Sequence, residues 1–277
     1  MIQEAESSQK RINEFLNEAP SIQSNNEEIK VLNGKIEFNE VHFIYEDTKI
    51  HALNNISFTI NKGETVAFLG KTGSGKSTIL QLISRMYDVS SGTILIDDVN
   101  IKDWNVQNLR DQIAVVPQDA FLFSDTIKNN IRFGKEDASQ EEIEHFAKIA
   151  DVHKNIIRFD KGYETILGER GITLSGGQKQ RVSIARALIK DAPALLLDDC
   201  LSAVDTETEE QILNNLKDIA DKKTTIIVTH RVSSAKNADK IIVLSEGTIL
   251  EQGSHNQLIN ENGYYANLYK KQLSEKD

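Results

Sequence analysis

Three features of the sequence predict an α/β fold with an antiparallel β annex. Short apolar runs at 113–116, 194–197, 225–228 and 240–244 alternate with helical stretches at 76–86, 140–150, 178–190 and 206–220, the rhythm of a parallel sheet covered by helices. Ahead of them, 36–45 and 56–60 alternate apolar and polar residues as half-buried antiparallel strands do. Between the two sets, 65–69 is a short run of the fully buried kind.

Taken in chain order, residues 1–19 read as a polar helix with a narrow stripe of Ile12, Phe15 and Leu16, stopped by Pro20. Residues 21–33 read as a linker, and the core is expected to start near Gly34. No segment repeats at a fixed period, and three prolines with 15 glycines leave no low-complexity stretch.

A length of 277 residues suits one large domain or two small ones with a sizeable core. Mean hydropathy is -0.39, and no stretch approaches the ~18 consecutive apolar residues of a membrane span. With 42 acidic against 32 basic residues the formal charge is -10, which argues against nucleic acid as a partner; a bound phosphate must be held by local geometry. The single cysteine, Cys200, excludes an intrachain disulfide and any multi-cysteine metal site. The N-terminal residues lack the apolar core of a signal peptide, so a cytosolic-facing location is expected.

Residues 70–77 fit G-x-x-x-x-G-K-[ST]: Gly70, Lys71, Thr72, Gly73, Ser74, Gly75, Lys76 and Ser77, with Thr78 next in the following helix. They follow a buried strand and open a helical run, the context this pattern needs. The glycines let backbone N–H groups face phosphates at a helix N-terminus, Lys76 neutralises β/γ-phosphate charge, and the Ser77 hydroxyl can ligate Mg²⁺. By itself the loop implies only a nucleoside triphosphate.

The run 194–197 ends in Asp198 and Asp199, two carboxylates at the C-terminal edge of a buried strand, where ligands collect in parallel sheets. Asp198 is placed to partner Mg²⁺ through water. Asp199 can reach the water that attacks the γ-phosphate or can act as a helix N-cap. His230 closes the next core strand, where a γ-phosphate donor and a structural histidine are both consistent with the residues. Leu174, Ser175, Gly176, Gly177 and Gln178 stand before another helix and repeat the physics of the first loop, a second anion site. Either two nucleotides bind, or this loop serves a neighbouring molecule; spacing alone does not choose.

The residues resemble the nucleotide-binding domain of ABC (ATP-binding cassette) transporters, particularly the exporter type, over nearly the whole chain. The motifs appear in family order: Tyr45 as the A-loop aromatic, Gly70 to Ser77 as Walker A, Gln118 as the Q-loop, Leu174 to Gln178 as the signature, Leu195 to Asp198 as Walker B, Ser202 to Asp205 as the D-loop and His230 as the H-loop. The resemblance implies a P-loop NTPase core with a helical subdomain, roughly 119–190, that carries the signature loop. It implies ATP and Mg²⁺ as ligands, with Ser77, Gln118 and Asp198 at the metal and Asp199, His230 and Gln118 catalytic. It also implies a head-to-tail dimer in which Ser175, Gly176, Gly177 and Gln178 of one domain cover the nucleotide of another, and a transmembrane partner domain. On this reading 1–33 are a linker helix and linker from a membrane domain, 34–277 the nucleotide-binding domain, and residues 166–171 resemble the segment that touches the membrane domain. The location implied is the cytoplasmic face of the cell membrane.

One position departs from the family pattern: Asp199 stands where most members carry a catalytic glutamate, followed by Cys200 and Leu201 where small or hydroxyl residues are usual. A carboxylate one methylene shorter falls short of its water by on the order of 1 Å, a displacement that can cost about 10²-fold in rate. The resemblance therefore carries two expectations, a slow ATPase or a largely non-catalytic ATP-dependent clamp, the degenerate half of a heterodimeric exporter. A homodimer with two weak sites fits as well. No Asn-Lys-x-Asp segment supports a GTPase, and Tyr45 favours ATP over GTP only weakly. His42, His51, His145, His153 and His255 show no metal-like spacing. Trp104, Tyr264 and Tyr265 read as packing residues, and Cys200 as a small packed side chain.

Overall fold

In the computed structural model, residues 2–24, 26–220 and 223–274 are described. A four-stranded antiparallel sheet, ordered β2-β1-β4-β5, comprises β1 (Ile36–Ile44), β2 (His51–Ile60), β4 (Ser91–Ile96) and β5 (Val99–Asn100). A six-stranded sheet, ordered β10-β9-β3-β8-β7-β6, comprises β3 (Thr65–Gly70), β6 (Ile113–Val116), β7 (Ala194–Asp198), β8 (Thr224–Thr229), β9 (Lys240–Ser245) and β10 (Thr248–Gly253). Its strands are parallel except for β10, which returns antiparallel along β9. The predicted class is the observed one.

Helices α1 (Ile2–Leu16), α2 (Lys76–Ile83) and α3 (Val106–Asp111) precede β6. Between β6 and β7 come α4 (Ile127–Arg132), α5 (Gln140–Ile149), α6 (His153–Ile156) and α7 (Gly176–Ile189), with only an isolated bridge, Thr126 to Ile166, among the described residues. The chain finishes with α8 (Thr206–Ala220), α9 (Val232–Ala235), α10 (His255–Asn260) and α11 (Tyr264–Ser274).

β3 is buried on both faces because the annex covers one and helices the other. Val66 and Phe68 join a core with β1, β2, β4 and α2, whereas Ala67 and Leu69 join one with α9 to α11. Ala114, Val116, Leu195 and Leu197 pack on α4, α5, α7 and α8 in a third cluster.

The structure moves some predicted boundaries. The first helix ends at Leu16, before Pro20, and α2 ends at Ile83, where Ser84 and Arg85 leave the helix. β2 begins five residues earlier than its alternation suggests, because buried Ala52 and Leu53 sit side by side among register shifts. The stretch read as a linker is strapped down. Lys30 N–H donates to Asn108 Oδ1 (3.0 Å) and Leu32 N–H to Gln112 Oε1 (2.8 Å), and Leu32 is already buried, ahead of the expected start at Gly34.

Candidate functional site

Three parallel strands deliver the site to one sheet edge. Leu69 lies opposite Thr229 and Asp198 opposite Val228, so the loop after β3, the carboxylates after β7 and His230 after β8 converge there. A cleft of about 220 Å³ opens between them. Its walls include Thr72, Gly73, Gly75, Lys76, Ser77 and Thr78 of the loop and α2, together with Tyr45, Gln118, Asp198, Asp199 and His230.

Gly75 immediately precedes α2 at φ 99°, and a Cβ there would stand 2.5 Å from the Ala52 carbonyl oxygen, so only glycine lets the loop turn this tightly. Lys76 opens the helix and its Nζ donates to the Gly70 and Lys71 carbonyls (2.8 and 2.9 Å). Burial lowers its pKa, opposed by the charges of Asp199 and Asp198. Ser77 Oγ donates to Asp198 Oδ1 at 2.9 Å. Burial pushes the Asp198 carboxyl above the ordinary carboxylate range, the Ser77 hydrogen bond and Lys76 opposing and the charge of Asp199 adding to the rise. This adjacent hydroxyl and carboxylate are hard oxygen donors of the kind that suit Mg²⁺, which typically takes one or two protein oxygens plus phosphate and water. Among the described residues no group of three His, Cys, Asp or Glu could hold a metal alone.

Asp199 lies at φ 42°, in the left-handed region that aspartate enters more readily than most residues. Its carboxylate oxygens lie 3.0 and 3.2 Å from His230 Nδ1. The imidazole is half exposed. Tyr45 donates to Gln81 Oε1 (2.8 Å) and its hydroxyl lies 3.1 Å from Thr78 Oγ1. Edge-to-face contacts with Phe43 and Tyr87 hold its ring at the cleft.

Three loop residues, Gly70, Lys71 and Ser74, do not line the cleft. Ser74 is buried, with no hydrogen-bond partner for its hydroxyl, because the side chain turns into the back of the loop beside Gly70. The signature residues lie outside the cleft as well. Ser175 caps α7: its Oγ accepts from Gln178 N–H (3.3 Å), and Gln178 Oε1 accepts from Ser175 N–H (3.0 Å). Ser175 and Gly176 are exposed, while Gly177 lies so close to the 200–205 turn that a Cβ would come 2.9 Å from the Ala203 carbonyl oxygen.

Sequence reasoning overlooked a larger groove of about 770 Å³ between the β6 edge and the helical segment, with Met86, Val115, Phe133 and Arg186 among its walls. Phe121, Phe123 and Phe133 are exposed beside it, and the Arg186 guanidinium sits 5.5 and 5.8 Å from the Phe123 and Phe133 ring centroids. The legible signal was the pair of phenylalanines just after Gln118. The packing expectations hold: Trp104 and Tyr265 are buried, and burial pushes the Cys200 thiol up to about 12.

A helix-covered parallel sheet with a glycine-rich loop, lysine and serine at its edge defines a P-loop protein that binds nucleoside triphosphates. The ABC transporter family model matches residues 53–202, more than half of the chain, and the chain belongs to that family. It is 49% identical over 241 residues to ATP-binding cassette sub-family B member 6 of Xenopus tropicalis, covering 87% of this chain and 28% of that protein. To the multidrug resistance-like ATP-binding protein MdlA of Escherichia coli (strain K12) it is 45% identical over 265 residues, 96% of this chain and 45% of the relative. The solved structure of a bacterial Atm1-family ABC exporter with ATP bound superposes with a TM-score of 0.92 at 38% identity, covering 98% of this chain and 48% of that one. The chain therefore spans less than half the length of these relatives.

Proposed function

We propose that this chain binds and hydrolyses ATP as the nucleotide-binding part of a membrane exporter, and that it works in a head-to-tail dimer of such domains. One observation carries the reading: the cleft gathers Lys76, Ser77, Asp198, Asp199 and His230, while the second anion site, at Ser175, lies exposed and outside it. A half-site exposed on the surface calls for a second molecule, whose phosphate loop it would cover.

In this scheme Tyr45 stacks on the base, and the backbone N–H groups from Gly73 to Thr78 with Lys76 hold the phosphates at the N-terminus of α2. Mg²⁺, when bound, neutralises phosphate charge, and Ser77, Asp198 and Gln118 are the residues that would hold it. Asp199 orients the attacking water and fixes the His230 ring through Nδ1, so that the ring faces the γ-phosphate. Ser175, Gly176, Gly177 and Gln178 close over the nucleotide of the partner domain.

Residues 34–277 then form the nucleotide-binding domain, with 119–190 as its helical subdomain, and 1–33 lead from a membrane domain. No helix among the described residues is long and apolar enough to cross a membrane, so the transmembrane part belongs elsewhere in the full transporter. The groove lined by exposed Phe133, with Phe121 and Phe123 next to that ring, offers that part an apolar seat, and residues 166–171 a further contact, at the cytoplasmic face of the membrane. A second reading, a clamp that closes on ATP with little turnover, rests on Asp199 standing where most members of the family carry a glutamate. Sedimentation with MgATP under non-hydrolysing conditions should show ATP-dependent dimers, and single-turnover hydrolysis separates the two readings. A chain that stays monomeric at all concentrations, with hydrolysis unaffected by Ser175→Arg, would contradict the head-to-tail scheme.

A further inference from the structure

The turn 200–205 joins features that the cleft keeps apart. It directly follows Asp199, and two side chains outside the cleft grip its middle. From α7, two residues past Gln178, buried Gln180 accepts from Ala203 N–H (3.1 Å) and donates to Ser202 Oγ (3.4 Å). From the other side Arg231, directly after His230, donates to the Ser202 and Val204 carbonyls (3.0 and 3.3 Å). The Arg231 guanidinium is itself fixed by Glu209, 2.6 Å away and 1% exposed, whose second oxygen accepts from Ser233 and Ser234. A fork with two backbone acceptors and a buried counter-charge has one geometry.

We infer that Gln180 and Arg231 are positioning residues for hydrolysis. They lock the 200–205 turn to the base of the signature loop and to the residue after His230, so that the two half-sites of one chain move as a unit. Neither side chain lines the nucleotide cleft, so neither contributes to ATP affinity. Both act on the step that needs Asp199 and His230 aligned, where displacements of about 1 Å are costly. The inference rests on the ATPase reading above and assigns two residues that its motifs leave out.

The test compares wild type with Gln180→Met, Gln180→Glu, Arg231→Lys and the Gln180→Met/Arg231→Lys double variant. Arg231→Lys keeps a cation on buried Glu209, so the fold survives, but it gives up the fork on the turn; Gln180→Glu keeps an acceptor for both Ala203 N–H and the Ser202 hydroxyl. Steady-state kcat should fall about tenfold or more in Gln180→Met and Arg231→Lys. The equilibrium affinity for a fluorescent ATP analogue should stay within about twofold of wild type. Gln180→Glu should recover most of the rate, and the double variant should be no slower than its slower parent, because both residues act through one turn. Unchanged kcat in both single variants, parallel losses of affinity and rate, or multiplicative losses in the double variant would overturn the inference while leaving the ATPase reading intact. A wild-type chain that binds ATP and never hydrolyses it would overturn both.

Discussion

The phosphate loop before α2 and the signature loop before α7 are built alike, as glycine and serine at a helix N-terminus, yet their surroundings differ. The first is walled by its own chain: a lysine, two carboxylates, a histidine and an aromatic ring stand around it. The second satisfies its own end by a capping box and presents Ser175 and Gly176 to the outside, with only the 200–205 turn behind it. A helix N-terminus thus becomes a self-sufficient binding site only where neighbouring strands bring compensating charge; otherwise it is half of a site. The difference predicts that damage to the first loop abolishes binding, whereas damage to the second abolishes association.

The largest effect is expected at Lys76. Lys76→Ala removes the cation and charge-assisted hydrogen bonds worth ~1.5–3 kcal/mol each, so triphosphate affinity should collapse in a titration with a fluorescent ATP analogue. Unchanged affinity would erase the distinction between the loops. Tyr45→Ala should weaken ATP by ~1–3 kcal/mol, the scale of one stacked base, and leave tripolyphosphate binding alone. Equal losses for both ligands would mean that Tyr45 acts through its contacts with Thr78 and Gln81.

At Asp199, a longer carboxylate should raise turnover without changing affinity. Asp199→Glu is expected to speed hydrolysis about tenfold because the contact is made mainly in the transition state, and Asp199→Asn to remove the residual rate. The φ of 42° works against the glutamate, which enters the left-handed region less readily than aspartate. Steady-state turnover at saturating MgATP decides; a glutamate variant no faster than wild type would show that reach is not what limits the rate.

The smallest effect lies at Asp198. Its pKa is raised in the folded chain, so the folded state binds protons more tightly than the unfolded one. The stability this group confers is therefore present at low pH and lost as pH climbs from the ordinary carboxylate range through the folded value. Asp198→Asn, which stays neutral, should gain melting temperature relative to wild type across that window and hold a constant gain above it. A difference that does not vary with pH would mean that the Asp198 pKa is not raised in the folded chain.

Much of this was readable beforehand where local chemistry is dense. The strand, loop and helix around Gly70 to Ser77 share one short stretch, and Asp198 and His230 close strands whose apolar runs are plain. Strands β4, β5 and β10 carry weaker signals: β4 opens on exposed Ser91 and Gly92, β5 is two residues long, and β10 has no fully buried residue to mark its rhythm. Gln180 and Arg231 were passed over because a polar side chain on a helix or after a strand reads as surface. Only the fold carries them to Ser202, 22 and 29 positions away in sequence. Ser74 shows the reverse error, a motif residue whose hydroxyl the packing turns inward.

Complementation of two inactive chains tests the division between the loops most directly. Lys76→Ala spoils the first loop and Ser175→Arg the second, so each variant alone should fail to form ATP-dependent dimers or to hydrolyse ATP. Mixed, the Ser175→Arg chain still supplies an intact phosphate loop and the Lys76→Ala chain an intact signature loop, which together rebuild one composite site. The account predicts that the mixture regains ATP-dependent dimers in sedimentation and part of the wild-type hydrolysis. A mixture no more active or associated than its components, or a Ser175→Arg chain that dimerises and hydrolyses ATP by itself, would contradict it.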